Sequence, residues 1–183
     1  MMERYELRLS GSGGQGLILA GKILAEAVAI YEGRNAVQTQ SYGPEARGGA
    51  SKAEVVISDG DIDYPKAMSL DVLLSLTQES CAKYSGDLKP GGILIVDSEM
   101  VTDPPRGEYR LYAAPITEIA TTRVGKVVVT NIVALGFLAR ITEIVSVGAM
   151  KKAILARVPK GTEEVNMKAF DEGWNAAEEL LRA

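Results

Sequence analysis

Three glycines near the start of the chain form the pattern most able to do chemistry. Gly11, Gly13 and Gly16 belong to the run Gly11-Ser12-Gly13-Gly14-Gln15-Gly16, which follows an alternating segment and precedes an apolar, alanine-rich one. Glycines between a strand and a helix allow a tight turn and bring backbone N–H groups close to a phosphate. The motif predicts a phosphate contact, or a turn that only packs the helix against the sheet or contacts another chain.

Two familiar phosphate-binding motifs fit this turn less well. A dinucleotide-binding fold places an acid at the tip of its second strand to hold the ribose, but that segment ends Gln38-Thr39-Gln40-Ser41, and Glu32 precedes it. A P-loop needs a lysine and a hydroxyl residue after its last glycine, where Leu17 and Ile18 stand. A P-loop is therefore excluded, and NAD or FAD binding remains only as the alternative function.

A second glycine-rich segment presents one acid and one arginine. It reads Ser41-Tyr42-Gly43-Pro44-Glu45-Ala46-Arg47-Gly48-Gly49, which is too interrupted for a regular helix or strand. Such a loop can direct Arg47 towards an anion or a partner chain. A structural alternative stays open, in which Arg47 pairs with Glu45 or caps backbone carbonyls.

The remaining polar candidates have ordinary structural interpretations. Asp97 ends an apolar segment and could face a binding crevice, although a turn residue is the commoner role. Asp59, Asp61 and Asp63 alternate as if around a cation, but the distal glutamate of an EF-hand is missing. The single cysteine, Cys81, excludes an internal disulfide and any cysteine-ligated zinc or iron–sulfur site, so we interpret it as a buried apolar residue.

Composition narrows the possible functions further. The chain has no histidine, which removes the usual general base and the commonest transition-metal ligand. Its net charge is −4, and it has only two Phe and one Trp, so we expect no nucleic-acid binding. The segment from Met1 to Leu9 lacks the apolar stretch of a signal peptide or membrane span, so we expect a cytoplasmic protein without membrane contact.

The elements that would position these residues alternate along the chain. Strand patterns cover residues 5–9, 34–41, 51–58, 71–76, 92–97 and 109–112, with a turn at Lys89–Gly92. Helical patterns cover residues 17–30, 80–83, 116–122, 131–144, 147–156 and 163–181, the last with Thr162 as N-cap. The alternation predicts a single three-layer α/β/α domain over residues 1–183 with a mostly parallel sheet.

At these residues the sequence resembles a known family almost end to end, the gamma subunit or corresponding domain of 2-oxoacid:ferredoxin (flavodoxin) oxidoreductases. The landmarks are the Gly11–Gly16 run, the segment from Ser41 to Ser58, the run from Thr130 to Gly136, and Asn166, Ala169 and Gly173 in the last helix. Residues 42–51 are more similar to the 2-oxoglutarate branch than to the pyruvate or branched-chain branch.

The resemblance implies a fold like the gamma domain of pyruvate:ferredoxin oxidoreductase and an accessory role. The complex would oxidatively decarboxylate a 2-oxoacid with coenzyme A to acyl-CoA, CO₂ and reduced ferredoxin or flavodoxin. Thiamine diphosphate, Mg²⁺ and iron–sulfur clusters are expected on alpha, beta and possible ferredoxin-like delta subunits. This chain would bind no cofactor or metal by itself, would be inactive alone, and would self-associate without its partners.

The resemblance and the residues together predict two groups of contacts, one with coenzyme A and one with partner subunits. Coenzyme A phosphates would suit the backbone amides of the turn and an arginine, which gives Gly11, Gly13, Gly14, Gln15, Gly16 and Arg47. A partner interface would include Tyr42, Glu45, Arg47 and Asn131. A stand-alone module that binds an anionic metabolite remains a third possibility.

Overall fold

The computed structural model of the protein describes residues 2–41 and 49–183. The strands are β1 (Tyr5–Ser12), β2 (Asn35–Ser41), β3 (Ala50–Ser58), β4 (Leu70–Ser75), β5 (Leu88–Asp97) and β6 (Tyr109–Ala114). The helices are α1 (Leu17–Tyr31), α2 (Gln78–Tyr84), α3 (Ile116–Ile119), α4 (Thr130–Thr142), α5 (Val147–Arg157) and α6 (Glu163–Arg182). The predicted strands and helices are present with shifts at their ends, except that the helix predicted over residues 116–122 is α-helical only over Ile116–Ile119 and continues as a π-helix over Ala120–Val124.

The six strands form one mixed sheet in the order β2-β3-β1-β4-β5-β6. β1, β4, β5 and β6 are parallel neighbours, whereas β3 lies antiparallel between β1 and β2. β3 is reversed because a short connection can join only antiparallel neighbours, and a parallel pair needs a long crossover. The prediction of a mostly parallel sheet with helices on both sides is confirmed.

The two faces of the sheet are covered unequally. On the first face, α1 and α4 help to enclose the main core, which includes Leu7, Leu9, Val55, Ile57, Val72, Leu74, Ile23, Leu24, Val133 and Phe137. On the second face, α2 contributes to a smaller core that includes Val56, Leu73, Cys81, Tyr84 and Leu94. Most of the buried apolar surface that stabilises the domain therefore lies on the first face.

α4 is buried along almost its whole length. Every residue from Thr130 to Ala139 is buried, so this helix has no solvated stripe of the kind that surface helices show. Within the described ranges, no helix is both long and apolar enough to cross a bilayer.

α4 and α6 approach each other closely at two glycines. A Cβ added to Gly136 would lie 2.1 Å from the carbonyl oxygen of Phe170, and one added to Gly173 would lie 1.9 Å from the carbonyl oxygen of Val133. Both obstacles are backbone atoms, which cannot move aside as a flexible side chain can. The separation of the two helices therefore depends on the absence of a side chain at both positions.

The second face of the sheet carries a buried ion-pair network. Arg8 Nη2 lies 3.0 Å from Glu54 Oε2, and both side chains are almost wholly buried. Arg8 also pairs with Asp87, and its guanidinium lies 4.9 Å from the centre of the Tyr84 ring. Since removing one partner from such a pair leaves a buried charge without compensation, loss of Arg8 or Glu54 alone would be strongly destabilising.

Two local predictions were wrong. Thr162 precedes α6 without capping it, because its backbone is not extended (φ −109°, ψ 7°) and its hydroxyl donates to the Pro159 carbonyl. The turn predicted at Lys89–Gly92 lies inside β5, where Gly91 has φ 77° and its N–H donates to the Glu108 carbonyl. A single left-handed glycine there distorts the strand without ending it.

The strand order also bears on the dinucleotide-binding alternative. In a dinucleotide-binding fold the first two strands are parallel neighbours, and the acid that holds the ribose follows the second. β3 separates β1 from β2 in this sheet. The end of β2 is therefore one strand farther from the glycine turn than it would be in a dinucleotide-binding fold. The topology therefore gives that alternative no support.

The close crossing predicts a sharp effect of adding one methyl group. We expect Gly173→Ala to reduce the free energy of unfolding by about 1–3 kcal/mol or more, because the helices must separate to admit the new Cβ. Urea unfolding followed by circular dichroism measures this change. Gly148→Ala in α5 is the matched control: no atom lies within 4 Å of its added Cβ, so stability should hold or rise by about 0.5–1 kcal/mol. Equal stability of Gly173→Ala and the natural chain would contradict the proposed constraint.

Candidate functional site

The glycine turn lies at the carboxyl edge of the parallel strands, where loops of such sheets usually bind ligands. β1 ends at Ser12 and α1 begins at Leu17, so the turn occupies residues 13–16. Gly14 and Gly16 have φ values of 88° and 74°, which are left-handed conformations that favour glycine. The turn has the strand-to-helix context that the sequence predicted.

Gln15 braces the turn from within. Its side-chain Oε1 accepts a hydrogen bond of 2.8 Å from the backbone N–H of Ser12. The same oxygen would lie 2.2 Å from a Cβ added to Gly11. Gln15 and Gly11 therefore stabilise the conformation of the turn itself.

Asn131 fixes the turn to the start of α4. Its Nδ2 donates to the Gly16 carbonyl at 3.0 Å, and its Oδ1 accepts from the N–H of Ile132 at 2.9 Å. Asn131 is 4% exposed, so a direct contact with a partner is much less accessible than the sequence suggested. Its observed role is to connect two elements of the chain.

The start of α1 keeps its capacity to bind an anion. The helix has no side-chain hydrogen bond at its N-cap and no acidic residue in its first turn. The first N–H groups of a helix lack partners within the helix, and the helix dipole makes this end favourable for negative charge. A hollow of about 260 Å³ opens at this point, lined by residues 12–18 and Ser51.

The strands that flank the segment with Arg47 end and begin near this turn. Tyr42, Glu45 and Arg47 lie outside the described residues. The strand residues at the two ends of the loop are described: Ser41 pairs with Lys52, and Ala50 pairs with Ser12. The two glycine-rich segments of the sequence are therefore connected to the same edge of the sheet.

A second hollow adjoins the turn and was missed by sequence reasoning. It is a cleft of about 290 Å³ that runs from Gly14 and Gly16 to the start of α4 and the α5–α6 connection. Its walls include Leu19, Lys126 and Val128. The available signal in the sequence was the apolar run Val127-Val128-Val129 after Lys126. In the structure, Val127 is 62% exposed and Val128 is 75% exposed.

Two of the carboxylates singled out in the sequence, Asp97 and Asp59, have structural partners. Asp97 is fully buried and accepts hydrogen bonds from the N–H and hydroxyl of Thr117 and from the N–H of Glu99. Asp59 pairs with Arg34 at 3.1 Å. In the part of the chain that the structure describes, no three His, Cys, Asp or Glu side chains gather in a way that could hold a metal ion.

Cys81 lies in the smaller core on the second face of the sheet. Its side chain is 0% exposed. Burial raises the pKa of the thiol, an effect only partly offset by a hydrogen bond with Ser75. A thiol with these properties is a poor nucleophile at neutral pH.

Comparisons with known proteins agree on one family. The family model described as pyruvate ferredoxin/flavodoxin oxidoreductase matches residues 6–176. The 2-oxoglutarate synthase subunit KorC of Methanocaldococcus jannaschii is 55% identical over 97% of this chain and 96% of its own length. The keto/oxoacid ferredoxin oxidoreductase gamma subunit of Geobacter sulfurreducens has a TM-score of 0.90 and 55% identity over 96% of this chain and 97% of its own.

A more distant structure shares the fold alone. The 2-oxoglutarate:ferredoxin oxidoreductase of Magnetococcus marinus, solved with 2-oxoglutarate, coenzyme A and succinyl-CoA bound, has a TM-score of 0.87 at 22% identity. The likeness covers 100% of this chain and 32% of that chain. The same fold is therefore one part of a longer polypeptide in that enzyme.

The contact between Asn131 and Gly16 predicts unequal effects of two glycine substitutions. A Cβ added to Gly16 would lie 2.5 Å from Asn131 Nδ2, whereas one added to Gly14 meets nothing within 4 Å. Both substitutions by alanine incur the left-handed strain of about 1–2 kcal/mol, and Gly16→Ala should cost about 1–3 kcal/mol more through the clash. Urea unfolding of both variants measures the difference, and equal losses would contradict the packing of Asn131 on the turn.

The burial of Cys81 predicts an inert thiol. We expect Ellman's reagent to label no thiol in the folded chain and the single thiol of the sequence after denaturation. Absorbance of the released thionitrobenzoate measures both, and the denatured sample serves as the control. Stoichiometric labelling of the folded chain would show that the thiol is accessible and reactive.

Proposed function

The chain belongs to the pyruvate ferredoxin/flavodoxin oxidoreductase family, and from this membership we propose that it is the gamma-type accessory subunit of a 2-oxoglutarate:ferredoxin oxidoreductase. The complex would oxidatively decarboxylate 2-oxoglutarate with coenzyme A to succinyl-CoA and CO₂ and pass the electrons to ferredoxin or flavodoxin. The chain would contribute to this oxidoreductase by assembling with the subunits that carry its catalytic groups, and it would be inactive alone.

One observation carries the proposal. The similarity to a 2-oxoglutarate synthase subunit extends over 97% of this chain and 96% of that subunit at 55% identity. A shared fold alone would not support a shared function, because one fold hosts many functions. Identity at this level along almost the whole length of both chains supports the same place in the same kind of complex.

The chemistry of the chain supports an accessory role. An iron–sulfur cluster needs several thiolates, and the sequence has one cysteine and no histidine. Gly-Asp-Gly followed at a distance by Asn, the usual signature of Mg²⁺–thiamine diphosphate binding, is also missing from the sequence. These groups do not fit this chain, and we propose that alpha, beta and possible delta subunits carry them.

Exposed apolar side chains support association with other chains. Ile30, Met68 and Val128 are 69%, 66% and 75% exposed. Apolar surface of this kind is removed from water when subunits assemble. We propose that partner subunits cover part of it and that the isolated chain self-associates. A cytoplasmic location remains our expectation from the unpaired thiol.

We further propose that coenzyme A contacts the edge of the sheet at the glycine turn. The uncapped start of α1 supports a phosphate contact there. The contact of Arg47 with coenzyme A, and the place of Tyr42, Glu45 and Arg47 in a subunit interface, stay predictions from the sequence. We propose that Asn131 acts on the interface indirectly, through its bond to Gly16.

Affinity purification of the tagged chain from an anaerobic extract of its own organism tests the subunit role. We expect subunits that bear thiamine diphosphate and iron–sulfur clusters to co-purify, with viologen reduction that requires both 2-oxoglutarate and coenzyme A. The isolated chain should be colourless and inactive, because its residues do not fit those groups.

The control is an unrelated tagged α/β protein passed through the same extract, which should recover neither the subunits nor the activity. Recovery of activity with pyruvate instead of 2-oxoglutarate would correct the substrate and leave the subunit role intact. A chain that emerges without partners and binds NAD would overturn the proposal in favour of the dinucleotide-binding alternative.

A further inference from the structure

β2 forms one edge of the sheet and carries none of the usual protections against further pairing. β3 pairs with one side of β2 without a bulge, and no described residue pairs with the other side. Edge strands of soluble proteins commonly carry a charge, a proline or a bulge that blocks a further strand. β2 reads Asn-Ala-Val-Gln-Thr-Gln-Ser and has no charge and no proline. Its composition is therefore that of a strand that can pair on both sides.

α1 lies directly above β2 and β3. A Cβ added to Gly21 would lie 2.9 Å from Ala53 Cβ in β3 and 3.5 Å from Gln38 Cγ in β2. Strands in a sheet are about 4.8 Å apart. A second copy of β2 paired with this edge would therefore bring its own α1 to about two strand spacings, or roughly 10 Å, from the first. Helices pack against each other at about 8–10 Å, so one pairing would join both the sheets and the helices.

A trough lies between α1 and the edge strand β2. It measures about 500 Å³ and is formed by α1, β2 and the end of α5. Ala25 and Ala29 line it, and their small side chains allow a second helix to approach closely. Ile30 also lines the trough and is 69% exposed. Under a two-fold axis the same surface meets itself, so the Ile30 side chain of each copy can be removed from water against the other copy.

The polar groups of β2 become complementary when Val37 lies opposite its own copy. In that antiparallel register Thr39 lies opposite Asn35 of the second copy. The Thr39 hydroxyl is buried and has no hydrogen-bond partner among the described residues, an arrangement that is costly unless another group meets it. Asn35 donates through its Nδ2 to the Gly60 carbonyl. Its amide oxygen can therefore accept from the Thr39 hydroxyl of the other copy.

The same register brings opposite charges together on α1. α1 runs antiparallel to β2 and passes over Gln38 at Gly21, so residues 22–26 lie above the middle of the strand, since a helix rises about 1.5 Å per residue. Lys22 of one copy then lies opposite Glu26 of the other, and the axis repeats this pair. Glu26 Oε2 accepts from Arg157, and its other oxygen can accept from a lysine.

We propose that the β2 edge and the adjoining side of α1 form a docking surface for a second copy of this chain. β2 of each copy pairs antiparallel with β2 of the other about a two-fold axis at Val37, and the two α1 helices pack above the joined sheet. The inference rests on the self-association proposed above and gives that self-association a surface and a geometry. It involves neither the glycine turn nor the segment with Arg47.

Charge reversal on α1 tests the two-fold geometry. We expect Lys22→Glu and Glu26→Lys each to weaken self-association of the full chain by about tenfold or more, because each variant places like charges opposite one another twice. An equimolar mixture of the two variants should recover association, since each reversed charge then meets an opposite charge. Sedimentation velocity over a range of concentrations measures all three samples, and circular dichroism checks that each variant is folded.

A lysine in the strand tests the backbone pairing. We expect Val37→Lys to weaken self-association by about tenfold, because like charges would lie directly opposite each other at the axis. Leu111→Lys is the matched control: Leu111 lies in β6, at the opposite edge of the sheet, and is 45% exposed. In the natural chain, backbone amides of residues 35–41 should exchange with deuterium more slowly as the concentration rises, whereas those of residues 109–114 should not change.

Several results would overturn the proposal. A natural chain that stays monomeric at millimolar concentration would leave no association to explain. Failure of the mixture of Lys22→Glu and Glu26→Lys to recover association would exclude the two-fold contact between the α1 helices. Loss of association in Leu111→Lys but not in Val37→Lys would place the contact at β6 instead.

These outcomes are separate from failure of the proposed function. Sedimentation of the purified chain needs no partner subunit, whereas the affinity purification needs no self-association. A chain that dimerises through β2 but recovers no other subunits keeps this surface and loses the complex. A chain that recovers active complex but stays monomeric alone loses this surface and keeps the subunit role.

Discussion

The close approach of α4 and α6 at Gly136 and Gly173 is the constraint on which the rest of the structure depends. A methyl group at Gly136 or Gly173 would lie 2.1 or 1.9 Å, respectively, from a backbone carbonyl oxygen of the other helix. This contact holds α4 in the interior, and the first turn of α4 carries Asn131. Asn131 in turn holds the carbonyl of Gly16 and so fixes where α1 begins. Two missing side chains in the C-terminal half thereby help to determine the shape of the glycine turn in the N-terminal half.

Much of the fold could be predicted because local patterns and global packing agree. Apolar runs such as residues 71–76 and 92–97 become strands buried on both sides, and Gly33 has the left-handed φ of 67° expected after α1. The antiparallel position of β3 could not be predicted, because strand order depends on long-range pairing that leaves no local signal. Thr162 failed as a cap for a similar reason: the α5–α6 connection, and not the residue type, sets its backbone angles.

The candidate site was predicted in part. The glycines of the turn are a local motif and were found in their expected context between β1 and α1. Ser51, Lys126 and Val128 come from distant segments that only the fold brings to the turn. Asn131 was identified as important, but its burial against Gly16 depends on the crossing of α4 and α6. A sequence reveals residues that lie together in one segment more readily than residues from four segments that only the fold brings together.

The position of β1 in the sheet has a consequence for synthesis on the ribosome. β1 is made first, yet its neighbours in the sheet are β3 and β4 at residues 50–58 and 70–75. The nascent chain therefore cannot pair both edges of β1 until the first 75 residues have emerged. Leu7 and Leu9 stay open to chaperones during that interval. β5 and β6 are then added in order to an existing template, so the hazard of misfolding is greatest before β4 has emerged.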